Sequence, residues 1–119
     1  MRKHNFKNLE VWKKSRKYVA AIYSVSAKFP SEERFGVIVQ IRGAVISISL
    51  NISEGSGRGT NKDFSRFLDM SYGSALEVEN LLYLSFDLKF ITEEEQNKLV
   101  EQVNEIQKMI NGLQDSLNV

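Results

Sequence analysis

The residue types able to do chemistry concentrate in one stretch, Gln40–Glu79. There Arg42, Asn51, Glu54, Arg58, Arg66, Glu77 and Glu79 sit among branched apolar residues and a glycine-rich turn. Glu54, Asp63, Asp69, Glu77 and Glu79 are the carboxylates on which a two-metal hydrolytic site would draw. Glu77 and Glu79 are two residues apart, however, and on a helix that spacing turns them to different sides. The structural reading is mutual pairing of Arg42, Glu54, Arg58, Arg66, Glu77 and Glu79 near the turn, with Asn51 satisfying a backbone group or a facing side chain. Such buried pairs add little net stability, but removing one partner costs roughly 3–5 kcal/mol.

The rest of the chain supplies no reaction. It has one histidine, His4, and no cysteine. The Glu-x-x-His pairs of a di-iron bundle are absent, and the usual nucleophile–base pairs cannot be assembled. His4 is expected to be a solvated residue near the terminus. No metal, cofactor or enzymatic activity is expected. Gly55-Ser56-Gly57-Arg58-Gly59 invites comparison with a phosphate loop. A Walker loop needs a preceding strand and a closing Lys-Ser/Thr, and this segment follows a helical pattern and lacks that pair. Two readings stay open: a plain turn, and an anion held on free N–H groups with Arg58 or Lys62.

Charge is the strongest functional signal. The 119 residues carry a net charge of only +1. Residues 1–17, however, hold seven Lys/Arg against Glu10 alone, and residues 67–119 hold three Lys against ten acids. If the first helix reaches back to the start of the chain, Lys3, Lys7, Lys14 and Lys17 fall within about a third of its circumference, with Lys13 and Arg16 beside them. A stripe of that kind binds phosphate backbones by counterion release without reading bases. The competing reading is a solvated face, or one neutralised by the acidic last helix of the same or another subunit. Phe6 and Trp12 lie close enough to stack on bases, although Trp12 falls on the apolar seam and reads as core.

Four amphipathic segments must position these groups. The first helix is expected from about Asn8 to Lys28, with Leu9, Trp12, Val19, Tyr23 and Ser26 facing the core and Phe29-Pro30-Ser31 ending it. The second runs from about Glu32 to Ser56 on Ile38, Ile41, Val45, Ile48 and Ile52, spaced as in a coiled-coil seam. Gly36, Gly43, Ala44 and Ser47 would let a neighbouring backbone approach it. Gly55, Gly57 and Gly59 are expected to end it through left-handed geometry. The third starts at a Thr60 or Asn61 cap and reaches about Lys89, with Phe64, Leu68, Ser71, Ala75, Val78 and Leu82 on one seam. Phe67, Leu81, Leu84 and Leu88 face elsewhere, which suits a subunit contact. Thr92-Glu93-Glu94-Glu95 is a capping box opening the fourth, whose seam is Leu99, Val103, Ile106, Ile110, Leu113 and Leu117. The pattern predicts one all-α domain over residues 1–119, an antiparallel up-down-up-down four-helix bundle. No run of about 18 consecutive apolar residues is present, and no membrane role is expected. The lack of cysteine agrees with a cytoplasmic location.

The ordered residues Leu9-x-x-Trp12, Ile22-Tyr23, Phe29-Pro30-x-x-Glu33-x-Phe35-Gly36, Gln40-Ile41-Arg42, Asn51-Ile52-x-Glu54-Gly55-x-Gly57-Arg58, Phe64-x-Arg66-Phe67-Leu68 and Gly73-Ser74-x-x-Glu77-x-Glu79 carry a resemblance. The chain resembles the bacterial four-helix-bundle family encoded within intervening sequences of large-subunit ribosomal RNA genes. Two positions depart from that pattern. Gly43 stands where a second basic residue is usual, which weakens any anion site on the second helix. Ser49 stands where a proline is usual, which should straighten that helix. The resemblance implies a four-helix bundle. Relatives assemble as five-fold rings, and the accessory protein of diversity-generating retroelements looks similar, a basic pentameric barrel that works with a reverse transcriptase and binds nucleic acid. A homopentamer is therefore expected here by resemblance. The biochemical role of the family is largely undefined.

Two functions follow as expectations. The first is a non-enzymatic oligomer that binds RNA or DNA non-specifically through Lys3, Lys7, Lys13, Lys14, Arg16, Lys17 and Arg58. The second is a scaffold for a partner protein, with the basic stripe spent between subunits. The first helix's lysines facing solvent would favour the former, and their pairing with Glu101, Glu105 or Asp115 the latter.

Overall fold

Side-chain caps open two of the four α-helices. In the computed structural model, which describes residues 3–119, four α-helices account for most of the chain: α1 (Glu10–Ser26), α2 (Val37–Ser56), α3 (Asn61–Asp87) and α4 (Glu93–Leu117). Thr92 accepts from the Glu95 N–H while the Glu95 carboxylate accepts from the Thr92 N–H, the reciprocal capping box expected there. Thr60 accepts from the Asp63 N–H and opens α3.

α1 packs on α2 and α4, and α3 packs on the same two, most extensively on α2. This is an up-down-up-down bundle, 47 × 23 × 19 Å overall. The 27 residues of α3 span about 40 Å at 1.5 Å per residue, nearly the full length. Ile41, Val45, Ile48 and Ile52 of α2 are fully buried, as are Leu68, Ala75, Val78 and Leu82 of α3 and Val103, Ile106 and Ile110 of α4. These are the seams the 3–4 spacing predicts.

Four expectations about local structure are corrected. The first helix does not reach the start of the chain. Phe6–Asn8 form a separate 3-10 turn, Asn5 accepts from the Lys7 N–H, and Leu9 is extended before α1 begins. The core face of α1 is mostly one residue out from the expected one: Val11, Ser15, Tyr18, Ile22 and Val25 are buried and Tyr23 is exposed, while Ser26 is buried as expected. In the third correction, no glycine adopts a positive φ among the described residues. Gly57 ends α2 in helical geometry, and Gly55 serves close approach instead. A Cβ on Gly55 would lie 2.6 Å from Phe67 Cβ and 2.9 Å from Phe64 Cδ1. α2 also begins later than expected, because Ser31–Phe35 form a second 3-10 turn.

By length and composition α2 alone among the described helices is long and apolar enough to cross a membrane, with a mean hydropathy of 1.3. Its Ile41–Ile52 row lies in the bundle core, and its Arg42 is hydrogen-bonded to α1.

Candidate nucleic-acid interface

The N-terminal segment folds across the end of the bundle that carries the α2–α3 turn. His4 Nε2 lies 3.2 Å from Asn61 Oδ1, and the imidazole packs 4.9 Å from the Phe64 ring. His4 is half-buried there, contrary to the solvated residue expected. Asn61 also donates to the Leu117 carbonyl, so the first residue of α3 joins His4 to the end of α4. Lys3, His4, Arg58, Gly59, Thr60 and Asn61 line a cleft of about 320 Å³ at this end. Lys3 and the start of α3 are thus brought together by a contact that no sequence spacing reveals.

The candidate cations divide into engaged and unengaged groups. Lys14 reaches Glu105 of α4 at 3.2 Å, and Lys13 reaches Glu10 at 3.4 Å. Arg58 places Nε 2.8 Å from Asp63 and its guanidinium 4.6 Å over the Phe67 ring. Lys3, Lys7, Arg16 and Lys17 make no ion pair among the described residues and are exposed. Arg16 instead lies 5.6 Å over the Trp12 ring. Trp12 is half-buried at the edge of the core, with Phe6 edge-on at 4.8 Å. The expected single helical stripe is therefore interrupted at Leu9: Lys3 and Lys7 belong to the segment across the bundle end, and Lys14 and Lys17 to α1.

The expected mutual pairing of Arg42, Glu54, Arg58, Arg66, Glu77 and Glu79 does not form, whereas Asn51 satisfies a backbone group as expected. Arg42 donates to Ser26 Oγ at 2.9 Å and to the Tyr23 carbonyl, and covers the Tyr23 ring at 4.3 Å, tying α2 to α1. Asn51 donates to the Ser47 carbonyl and hydroxyl one turn back. Asp63, outside the proposed network, is the hub at the turn: Arg58 and Arg66 both donate to it. Those bonds, Arg66's foremost, hold its carboxyl below the usual carboxylate range. The spacing of Asp63 and Arg66 was the available signal, since residues three apart meet on a helix. Glu54 and Glu77 are exposed and make no ion pair among the described residues.

Glu79 turns instead to α4. It accepts from Gln107 at 2.9 Å, Asn104 at 3.1 Å and the Tyr83 hydroxyl at 2.7 Å. Burial alone would raise its pKa, but the bonds from Gln107, Tyr83 and Asn104 outweigh burial and lower it. Buried Tyr18 donates to the Leu99 carbonyl at 2.8 Å, and burial, then the Glu79 charge, push its hydroxyl far above the usual range. These groups clamp α4 to its neighbours, and they are saturated with hydrogen bonds. Among the described residues no cluster of three His, Cys, Asp or Glu could hold a metal ion.

Four α-helices packed around one buried apolar core define a helical-bundle protein. Residues 7–112 match the 23S rRNA-intervening sequence protein family, and the chain belongs to that family. A crystal structure of a protein of unknown function from the S23 ribosomal protein family of Bacteroides thetaiotaomicron is similar, with a TM-score of 0.79 and 25% identity over 87% of this chain and 97% of that one. Among curated proteins none matches.

Proposed function

We propose that the chain is a non-enzymatic bundle that contacts RNA or DNA through phosphate groups, using the unengaged cations of the N-terminal segment and α1. The observation that carries this reading is the grouping of exposed, unpaired basic residues on the N-terminal segment and α1. Lys3, Lys7, Arg16 and Lys17 stay exposed without a carboxylate partner among the described residues, while acids of α4 neutralise only Lys14 of the stripe and Lys28 at the far end of the bundle. Four such contacts predict a log–log salt slope of roughly −3 for a single strand. Replacing Lys7 and Lys17 with Glu should abolish binding and leave helix content unchanged. Binding that survives the double change would place the contact elsewhere.

Self-association is a second component of the proposal, supported by a different observation. Val39 and Leu50 of α2 are 51% and 56% exposed, and Leu76 and Leu84 of α3 are 47% and 43% exposed. Gly43 and Gly73, mid-helix on these same helices, meet nothing within 4 Å where a Cβ would stand. A helical glycine costs roughly 1 kcal/mol relative to alanine, and no contact among the described residues offsets that cost. Light scattering tests the assembly, with the homopentamer that the resemblance implies as the expected size. A strictly monomeric protein at high concentration would end this component and leave the phosphate contact standing. A scaffold serving a partner protein would use the same apolar face.

A further inference from the structure

Trp12, the single tryptophan, occupies an unusual place for so apolar a side chain. Its neighbours Val11 and Ser15 are buried, whereas Trp12 is half-buried at the edge of the core. Trp12, Lys13, Arg16, Lys17 and Ala20 line an open cleft of about 380 Å³. Trp12, Arg16 and Ala20 form one row four residues apart, and Lys13 and Lys17 the row beside it. The small Ala20 leaves the groove open. Phe6 meets the indole edge-on, 71° between planes, and braces the ring from the N-terminal segment. The Arg16 guanidinium, exposed and 5.6 Å from the ring centroid, already marks the ring's attraction for a flat cationic group.

We infer that Trp12 is a stacking platform for a base of single-stranded nucleic acid, with Lys13, Arg16 and Lys17 holding the flanking phosphates. This rests on the nucleic-acid reading above and deepens it by naming the strand state. A braced aromatic face rimmed by cations is what sequence-independent single-strand binding needs, because every base offers a π-face. Arg16 is the movable partner: it swings aside or stacks on the far side of the base. The Lys13–Glu10 contact is exposed and 3.4 Å long, so Lys13 is readily exchanged to a phosphate. A duplex keeps its base faces stacked internally and gains only the phosphate contacts.

Because Trp12 is the sole tryptophan, its emission reports the site directly. The experiment titrates the full chain with a labelled oligothymidylate and with a duplex of equal length at low salt, following label anisotropy and tryptophan emission together. The expected result is quenching that saturates along the anisotropy curve, with the single strand bound about tenfold more tightly than the duplex. Trp12→Phe should keep single-strand binding within about threefold, and Trp12→Leu should lower it about tenfold while leaving duplex binding unchanged. Anisotropy that rises with unchanged emission, or equal binding of strand and duplex, overturns the platform and leaves the phosphate reading intact. No anisotropy change with either nucleic acid overturns both. Should Trp12→Leu fail to fold, the emission and strand preference of the unaltered chain still decide.

Discussion

Lys14 of α1 lies 3.2 Å from Glu105 of α4. The lysine at the centre of the basic stripe is thus paired with the acidic helix of its own chain, whereas Lys3, Lys7, Arg16 and Lys17 make no ion pair among the described residues. Both groups are partly exposed, so the pair is worth less than about 1 kcal/mol. Lys14→Gln should change stability by no more than that and weaken RNA binding far less than Lys17→Gln. Urea melts and anisotropy titrations of the two variants make the comparison. A larger binding loss at Lys14 would mean that the ion pair opens for the ligand.

The α2–α3 turn depends on close approach at one glycine. A methyl group at Gly55 would sit 2.6 Å from Phe67 Cβ, an atom anchored to the α3 backbone that cannot swing away. Gly55→Ala should destabilise the bundle by about 1–3 kcal/mol through forced separation of the helices. Chemical denaturation measures this, and a neutral outcome would mean that the turn yields.

α3 ends on a strained residue. Lys89 has φ 66°, the Phe90 N–H donates to the Ser85 carbonyl, and the Lys89 N–H donates to the Phe86 carbonyl. That pair of bonds is the helix termination for which glycine is the usual left-handed residue. Lys89→Gly should raise stability by about 1 kcal/mol, read as a higher midpoint with an unchanged denaturant slope.

Acid and alkali should unfold the bundle through different groups. Asp63, Glu79 and Glu95 all have lowered pKa values in the folded chain, from the bonds to Asp63 and Glu79 already described and, for Glu95, chiefly from its bond to Lys28. Their stabilisation is present above their unfolded pKa values of about 4 and is lost as pH falls through the lower folded values. Tyr18 is shifted the other way. Its contribution is full below about pH 10, where the unfolded side chain titrates, and is lost as pH climbs beyond that toward the folded value. Tyr18→Phe should cost about 1 kcal/mol at neutral pH and remove much of the alkaline loss. Denaturation midpoints at pH 3, 7 and 11 check both arms, and a Tyr18→Phe protein equally alkali-sensitive would assign the loss to another group.

The glycines of the exposed apolar face separate stability from assembly. Gly43→Ala and Gly73→Ala should each stabilise an isolated chain by about 1 kcal/mol while weakening any self-association through that face. Melting temperature rising as the light-scattering mass falls is the expected signature. A mass that stays constant would show that the face is not the contact.

Much of the fold was legible because Ile41, Val45, Ile48 and Ile52, and likewise Phe64 to Leu82 on α3, repeat at helical spacing with polar residues opposite. α1 carries two apolar rows one residue apart, and spacing alone does not choose between them. Trp12, Val19 and Tyr23 are as apolar as Val11, Tyr18 and Ile22, and only packing against α4, including the Tyr18 bond to Leu99, selects between them. The site was less legible for the same reason. Lys14 meets a partner 91 positions away, and Glu79 finds Gln107 rather than the nearby arginines. The break at Leu9 had a local signal, since Asn5 is a turn-forming side chain that captures the Lys7 N–H.

The most direct measurement is the salt dependence of RNA binding by anisotropy, made on the unaltered chain and on the Lys7→Glu, Lys17→Glu protein, with size followed by light scattering on the same samples. Binding by the unaltered chain with a log–log slope of roughly −3 per protomer, lost in the double variant while it keeps its helix content and its size, is the expected result. No binding by a folded protein at low salt, or binding indifferent to both lysines, would contradict a phosphate contact through the N-terminal segment and α1.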